Sequence, residues 1–445
     1  MKRRRVAIIG GGFSGAMVAA NLLSRSRAPE VVLIGQERRF GPGLAYGAKD
    51  PAHLLNVRAS NMSALADQPD HFVGWLKRHG HRDAQTRFMP RKLYGEYVEQ
   101  TLKRAPRGFT RFKRIVSTAI ACRRNGEGWR ISLAPGADVE ADAVVLALGN
   151  TAPSPLAVFE QAGVPLLNPW DAKALSHLPP GDVLLLGAGL TTIDVALSLA
   201  KHRKKGTLYA LSRRGQTPRG HLQSPTPAPP AAFNMPHELS DALHAIRREA
   251  RANAERGEPW QYAIDRLRAR TPELWARLTP TQQQRFLRHL RVWWDVHRHR
   301  AAPEIAAQVA ALRDQGRLRV LAGEIVSVGR SPKHVDVTYR PRGRRDTRGL
   351  EVAGIINCTG ASLDLRGSSD PLVRQLLDET IARPPASGLG FDVDMAGRVL
   401  GAEGRPVGNL FAVGPVTQGV FWECTAVPEI RVRAAALAEL IAQGG

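Results

Sequence analysis

Two short apolar runs, Val6 to Ile9 and Val183 to Leu186, each end in a glycine-rich loop that leads into helix-forming sequence. The loops read Gly10-Gly11-Gly12-Phe13-Ser14-Gly15 and Gly187-Ala188-Gly189-Leu190-Thr191-Thr192. In such a strand-loop-helix unit the first glycine turns the chain, the second lets backbone approach a pyrophosphate, and the third position packs helix on strand. The N–H groups of the helix start then face the phosphate charge. Thr192 takes the third position in the second copy and is small enough for that packing. Apolar runs this short suit buried parallel strands, so the chain is expected to be an α/β protein with two Rossmann-like dinucleotide-binding domains. The expected contacts are Gly10, Gly12, Phe13, Ser14 and Gly15 in the first, and Gly187, Gly189, Leu190, Thr191 and Thr192 in the second. Two structural strand-turn-helix units without ligands are the alternative that the motif leaves open.

The end of the next strand in each unit bears on which nucleotide the unit holds. The strand after the first helix, Val31 to Ile34, ends in Gly35, where an acidic residue usually takes the ribose hydroxyls. That work falls to Gln36 and Glu37. The strand after the second, Leu208 to Leu211, ends in Ser212-Arg213-Arg214-Gly215. Two guanidinium groups in place of a carboxylate suit the 2′-phosphate of NADPH, with NADH as the other possibility and a solvated basic turn as the plain alternative.

Composition narrows the classes further. The net charge of +23 invites a nucleic-acid reading, yet only 11 of the 63 basic residues are lysines and the arginines run along the whole chain rather than in one stripe. Specific nucleic-acid binding is therefore not expected. Cys122, Cys358 and Cys424 are scattered without a C-x-x-C or metal-ligand spacing, which argues against a dithiol relay or a metal site and for a reducing compartment. With no apolar stretch long enough to span a bilayer, a cytoplasmic location is expected and no membrane partner. Oligomeric state is not legible.

The two halves also resemble each other. Arg114-Ile115-Val116-Ser117 and Glu324-Ile325-Val326-Ser327 each precede alternating strands and then an apolar strand ending in glycine, Gly149 in one case and Gly360 in the other. Each half thus reads as a three-layer ββα unit. A further strand ends at Gly414, which brings the chain back to the first domain. The second domain is accordingly expected to be inserted into the first, with boundaries at 1–155, 156–361 and 362–445. Val116, Gly149 and Gly414 are added to the expected cofactor contacts. A Pro-rich stretch between Gln216 and Pro236 reads as a linker or covering loop. From His237 to about Gln315 the pattern is helical, and the stripes Trp260, Ile264, Leu267 and Phe286, Leu290, Trp293 read as core.

These motifs resemble the two-dinucleotide-binding flavoproteins, among them the class B flavoprotein monooxygenases. Asp142-x3-Leu146-Ala147-Leu148-Gly149-Asn150 is similar to the D-x3-L-A-T-G-Y signature of the flavin N-hydroxylases, with Leu148 for Thr and Asn150 for Tyr. A bacterial family of FAD/NAD(P)-binding proteins that includes an FAD-dependent urate hydroxylase is similar over nearly the whole length. The matching residues are Phe40-Gly41-x-Gly43-Leu44-Ala45-Tyr46, Leu54-Leu55-Asn56-Val57, Ser212-Arg213-Arg214-Gly215 with His221, and Phe421-Trp422-Glu423 leading to Ala426-Val427-Pro428-Glu429-Ile430-Arg431. The resemblance implies FAD and NADPH as cofactors and, with molecular oxygen, hydroxylation of a small polar metabolite through a C4a-hydroperoxyflavin, urate being one candidate. It implies site roles for Asn56 near the flavin ring, for Arg58 or Arg431 beside anionic charge, and for Glu423 and His221 in proton transfer. Glu423 in a buried ion pair and His221 as a loop anchor are the competing roles. Trp422 either caps the flavin or packs. A reductase passing electrons to another acceptor and a non-catalytic nucleotide sensor are the competing functions.

Overall fold

The computed structural model describes residues 4–25, 27–48, 50–105, 112–151, 153, 156–224, 236 and 238–444. Apolar runs at both ends of the chain build one sheet. Its parallel strands lie in the order Pro406–Ala412, Ala143–Leu146, Arg5–Ile9, Glu30–Gly35 and Phe112–Val116, with Arg398–Leu400 antiparallel outside Pro406–Ala412. Alternate side chains of these strands point to opposite faces. Val6, Ile8, Val31, Leu33 and Val145 pack under the helices Phe13–Leu23, Arg91–Arg104 and Val427–Ala442. Ala7, Ile9, Val32, Ile34, Val144 and Leu146 face the other way, onto Trp129, Ile131 and Leu133 of an antiparallel meander, Thr118–Asn125, Gly128–Ala134 and Ala137–Ala141. The unit is therefore the expected three-layer ββα sandwich.

The middle of the chain builds a second sheet on the same plan. Gly354–Asn357, Val183–Leu186, Leu208–Ser212 and Leu318–Arg330 run parallel, and the last of them continues into an antiparallel ladder with Val335–Pro341 and Arg348–Val352. The stretch expected as one helical insert divides in two. Leu239–Glu255, Gln261–Arg277, Pro280–His289 and Arg291–Arg298 form the insert, whereas Pro303–Asp314 lays Ile305, Val309 and Leu312 against Val183, Leu185 and Ile193. That last helix is the ordinary crossover of a βαβ unit, and the insert sits in the connection ahead of it. The proline-rich stretch read as a covering loop falls largely outside the described residues. Among the described residues, no helix is long and apolar enough to cross a membrane.

One steric contact occurs in both sheets. Gly10 has φ +122° and a Cβ there would lie 2.0 Å from the carbonyl oxygen of Ala147; Gly187 has φ +114° and its Cβ would lie 2.5 Å from that of Cys358. In each case the loop presses on the backbone just past the returning strand. No side chain fits, and the dihedral is one that L-residues rarely adopt. Gly187→Ala is expected to destabilise the protein by about 2 kcal/mol or more. Gly329→Ala, whose nearest neighbour would be 3.9 Å away, is expected to stay within about 0.5 kcal/mol; denaturant midpoints measure both.

Candidate functional site

The first glycine loop opens on a cavity of about 590 Å³, within the usual range for a cofactor site. Gly10, Gly11 and Gly12 form one wall, Gln36, Glu37 and Arg39 a second, Leu148, Gly149 and Asn150 a third, and Ser362 to Val373 closes it. The helix Phe13–Leu23 starts here with Gly12 at its N-cap, no side chain accepting from the first-turn N–H groups, and no acidic residue in the first turn. Such a terminus is suited to an anion. The structure also accounts for Gly35: a Cβ there would come within 3.1 Å of Gly11 and of the Phe40 ring. The strand end is reserved for packing, and the polar groups stand one and two residues later, where Gln36 and Glu37 line the cavity.

Other expected contacts converge on the same place. Ser14 is buried, and a Cβ on Gly414, at φ +82°, would sit 2.4 Å from its Oγ, so the C-terminal strand end abuts the first loop. Phe13 is buried against Tyr46 and Tyr94, with ring centroids 6.1 Å away in each case. A Cβ on Gly149, at φ +70°, would meet nothing within 4 Å. Val116 is exposed at the rim, next to the lining residue Ser117.

The second loop repeats the arrangement. Helix Leu190–His202 starts after Gly189 without a capping side chain or first-turn acid. Around Gly189, too, the space within 4 Å of a Cβ is open, so no protein contact calls for glycine there. The following turn is less symmetrical than its sequence. Ser212 Oγ accepts from the N–H of Gly215 at 3.0 Å, and Arg214 donates to the carbonyls of His289 and Arg288 at 2.9 and 3.2 Å. Arg214 thus caps the C-terminus of the helix Pro280–His289, while Arg213 is exposed.

Asn56 and Arg58, two residues apart, meet the segment around His221, which is distant in sequence. His221 Nε2 lies 2.9 Å from the Asn56 carbonyl oxygen, and Arg58 donates to the carbonyls of Thr86, Leu222 and Gln223 while lying 4.6 Å from the Phe88 ring centroid. Because its partner is a carbonyl, His221 carries its proton on Nε2. Burial, together with the Arg300, Arg58 and Arg298 charges, pushes its pKa from 6.5 down to about 4, against the opposing hydrogen bond to Asn56. The ring is therefore neutral at pH 7 and serves as an anchor between segments, with Nδ1 as its basic atom. A pair missed by sequence reasoning reinforces this junction: Arg91 of one unit lies 2.9 Å from Asp194 in the second glycine-loop helix, both largely buried. Beside it, Ser198 bridges Asp50 at 3.0 Å and His53 at 2.8 Å. A carboxylate amid Ile193-Asp194-Val195 was the only sequence signal.

Glu423 is buried and ion-paired with Arg298, at 2.8 Å and 3.2 Å from its Nη2 and Nε. Arg268 pairs with Glu429, and Trp275 Nε1 donates to the Gly419 carbonyl at 2.9 Å. The three contacts fasten the insert to the segment after Gly414. Trp422 packs in this seam against Trp275 and Phe286. Arg431 donates to the Ser63 carbonyl at 3.0 Å, and its buried Nε lacks a hydrogen-bond partner.

Residues 7–151 match a protein-family model described as FAD-NAD(P)-binding. No curated protein matches the chain. Several solved structures share its fold from end to end. The ornithine N-hydroxylase of Kutzneria sp. 744, with reduced FAD, NADP+ and L-ornithine, is 15% identical, with 99% of each chain covered and a TM-score of 0.69. L-lysine 6-monooxygenase from Pseudomonas syringae is 15% identical over 99% of each chain, also at 0.69. The bacillithiol disulfide reductase of Bacillus cereus is 14% identical over 99% of each chain, at 0.57. The fold is thus that of two-domain flavoproteins.

Two outcomes are expected from this geometry. Glu423→Gln leaves the buried Arg298 charge with only the longer contact to Glu429, 3.9 Å away, as its counter-charge, and is expected to cost up to about 3–5 kcal/mol, largely recovered in Glu423→Leu/Arg298→Met, as read by denaturant unfolding. His221 makes stability pH-dependent, because the unfolded chain takes up a proton near pH 6.5 that the folded ring refuses until about pH 4. Its contribution is present above pH 6.5 and falls away as the pH drops through that window. His221→Asn is expected to flatten the unfolding free energy between those two pH values.

Proposed function

We propose that this protein is an FAD- and NAD(P)H-dependent monooxygenase, and that its domains are 1–155 with 362–445 for FAD and 156–361 for the nicotinamide nucleotide. The observation that carries the reading is the pair of helix starts whose first turns no side chain caps, one at Gly12 on the wall of the first cavity and one at Gly189, where a Cβ would meet nothing within 4 Å. A pyrophosphate fits that chemistry and shape. Bound FAD supplies the redox step, in which substrate R–H, O2, NADPH and a proton become R–OH, water and NADP+.

The residues of the chain have narrower tasks. Gln36 and Glu37 hold ribose hydroxyls; Ser14, Gly149 and Gly414 let backbone lie close to the dinucleotide. Arg213 takes the 2′-phosphate of NADPH, since Arg214 is committed to a helix end. Asn56 and Arg58, held by their contacts with the segment around His221, border the junction between the nucleotide units and keep it in one geometry. Arg431 offers its unpaired Nε to an anion. Glu423 is a positioning residue that keeps the insert docked, not a free acid.

A reductase is the second reading, favoured by the fold likeness to the bacillithiol disulfide reductase. Its dithiol form is opposed by the cysteines: Cys122, Cys358 and Cys424 are each free and buried, and burial pushes each thiol up to about 12. Such thiols are inert. Mixing the reduced, flavin-loaded protein with oxygen separates the readings. A transient absorbance distinct from both reduced and oxidised flavin supports the monooxygenase; direct return to the oxidised spectrum opposes it. Arg213→Ala is expected to raise the KM for NADPH about tenfold and that for NADH less than about twofold.

A further inference from the structure

A second cavity, of about 450 Å³, opens inside the helical insert. Five of the chain's eight tryptophans, Trp260, Trp275, Trp293, Trp294 and Trp422, line it. Leu267, Ile264 and Phe286, which helical spacing assigned to an ordinary core, surround this space instead of filling it. Protein interiors are close-packed with few voids larger than a water, and an apolar cavity of about 150 Å³ already accepts benzene. A space this large, ringed by indoles, is therefore shaped for a guest.

The wall also defines what the guest is made of. Trp275 Nε1 is spent on the Gly419 carbonyl at 2.9 Å, Thr271 Oγ1 on the Leu267 carbonyl at 3.1 Å, and His297 Nδ1 on the Trp293 carbonyl at 2.7 Å. These three polar atoms turn back to the chain's own backbone, and of the two arginines at the wall Arg277 pairs with Glu273 and Arg247 is exposed; indole, phenyl and aliphatic surfaces make up most of the rest. A ligand rich in hydrogen-bonding groups would lose its water there without replacement. A flat apolar ring would stack.

Trp422 is the lining residue contributed by the C-terminal segment. It is 3% exposed, stacks on Trp275 with centroids 4.6 Å apart and planes at 24°, and meets the Phe286 edge at 5.1 Å and 88°. Its φ is +51°, a region that a bulky residue enters only when its surroundings hold it there, and such residues gather at binding sites. The segment that carries it begins at Gly414, against Ser14 of the first glycine loop.

We infer that the tryptophan-lined cavity of the insert binds the apolar, ring-bearing body of the substrate, roughly 15–20 non-hydrogen atoms at protein-like packing density. The inference rests on the monooxygenase reading for the word substrate, and it replaces the small polar metabolite, urate included, that the sequence resemblance implied. The test uses the flavin-loaded full chain with 2-naphthol as probe and urate as the polar comparison, followed by calorimetry and tryptophan quenching. The expected result is saturable 1:1 binding of 2-naphthol with quenching, none for urate, and at least about tenfold weaker binding in Ala242→Trp, which fills the space. Flavin content reports folding of the variant. Should Ala242→Trp fail to fold, Leu243→Gln, which places an amide in the same wall, is expected to weaken the probe likewise. No saturable binding of 2-naphthol, tighter binding of urate, or binding indifferent to both substitutions overturns the inference; a cavity already filled by the chain's own residues gives the first of these. Failure to take up flavin is a separate outcome, which removes the monooxygenase reading and leaves the probe result to decide the cavity.

Discussion

The pressure of a glycine α-carbon on the carbonyl just past a returning strand is the constraint that both glycine-loop units share. At Gly10 against Ala147 and at Gly187 against Cys358 the backbone approaches more closely than any side chain allows. That contact sets where each strand ends and where each following helix begins. Because the helix then starts on a glycine with no capping side chain, its first N–H groups remain available for a phosphate. One steric demand thereby accompanies both the strand end and a helix terminus suited to an anion, twice in one chain.

The two units are held in one relation by buried and half-buried polar contacts. Arg91 to Asp194, the Asp50–Ser198–His53 bridge and the His221–Asn56 hydrogen bond tie the first unit to the second. Arg298 to Glu423 and Arg268 to Glu429 tie the helical insert to the C-terminal segment. Buried ion pairs add little net stability but are costly to break singly, so they specify geometry more than they strengthen it. Under the proposed function, in which two nucleotides exchange electrons, geometry is the quantity to conserve.

Much of this was legible in the sequence because the demands are local. A glycine that must turn, a small residue that must pack and an apolar run that must be buried each leave their mark within a few residues. What stayed hidden depends on distant partners. Gly35 reads as a missing acid until Phe40 and Gly11 are seen beside it. Arg213 and Arg214 look equivalent until the carbonyls of Arg288 and His289 claim one of them. Pro303–Asp314 has the same helical pattern as the insert, and only the sheet beneath it reveals the difference. The tryptophan spacing discloses an apolar face without disclosing whether anything fills the space it bounds.

If two glycine-capped helix starts bring FAD and NADPH together on one chain, electrons must pass from the second nucleotide to the first. Anaerobic titration of the FAD-loaded protein with NADPH, followed at the flavin absorbance band, reads that transfer. Bleaching complete at one NADPH per bound flavin is the predicted result. A protein that takes up no FAD, or whose bound flavin is bleached by dithionite but not by NADPH, would contradict it.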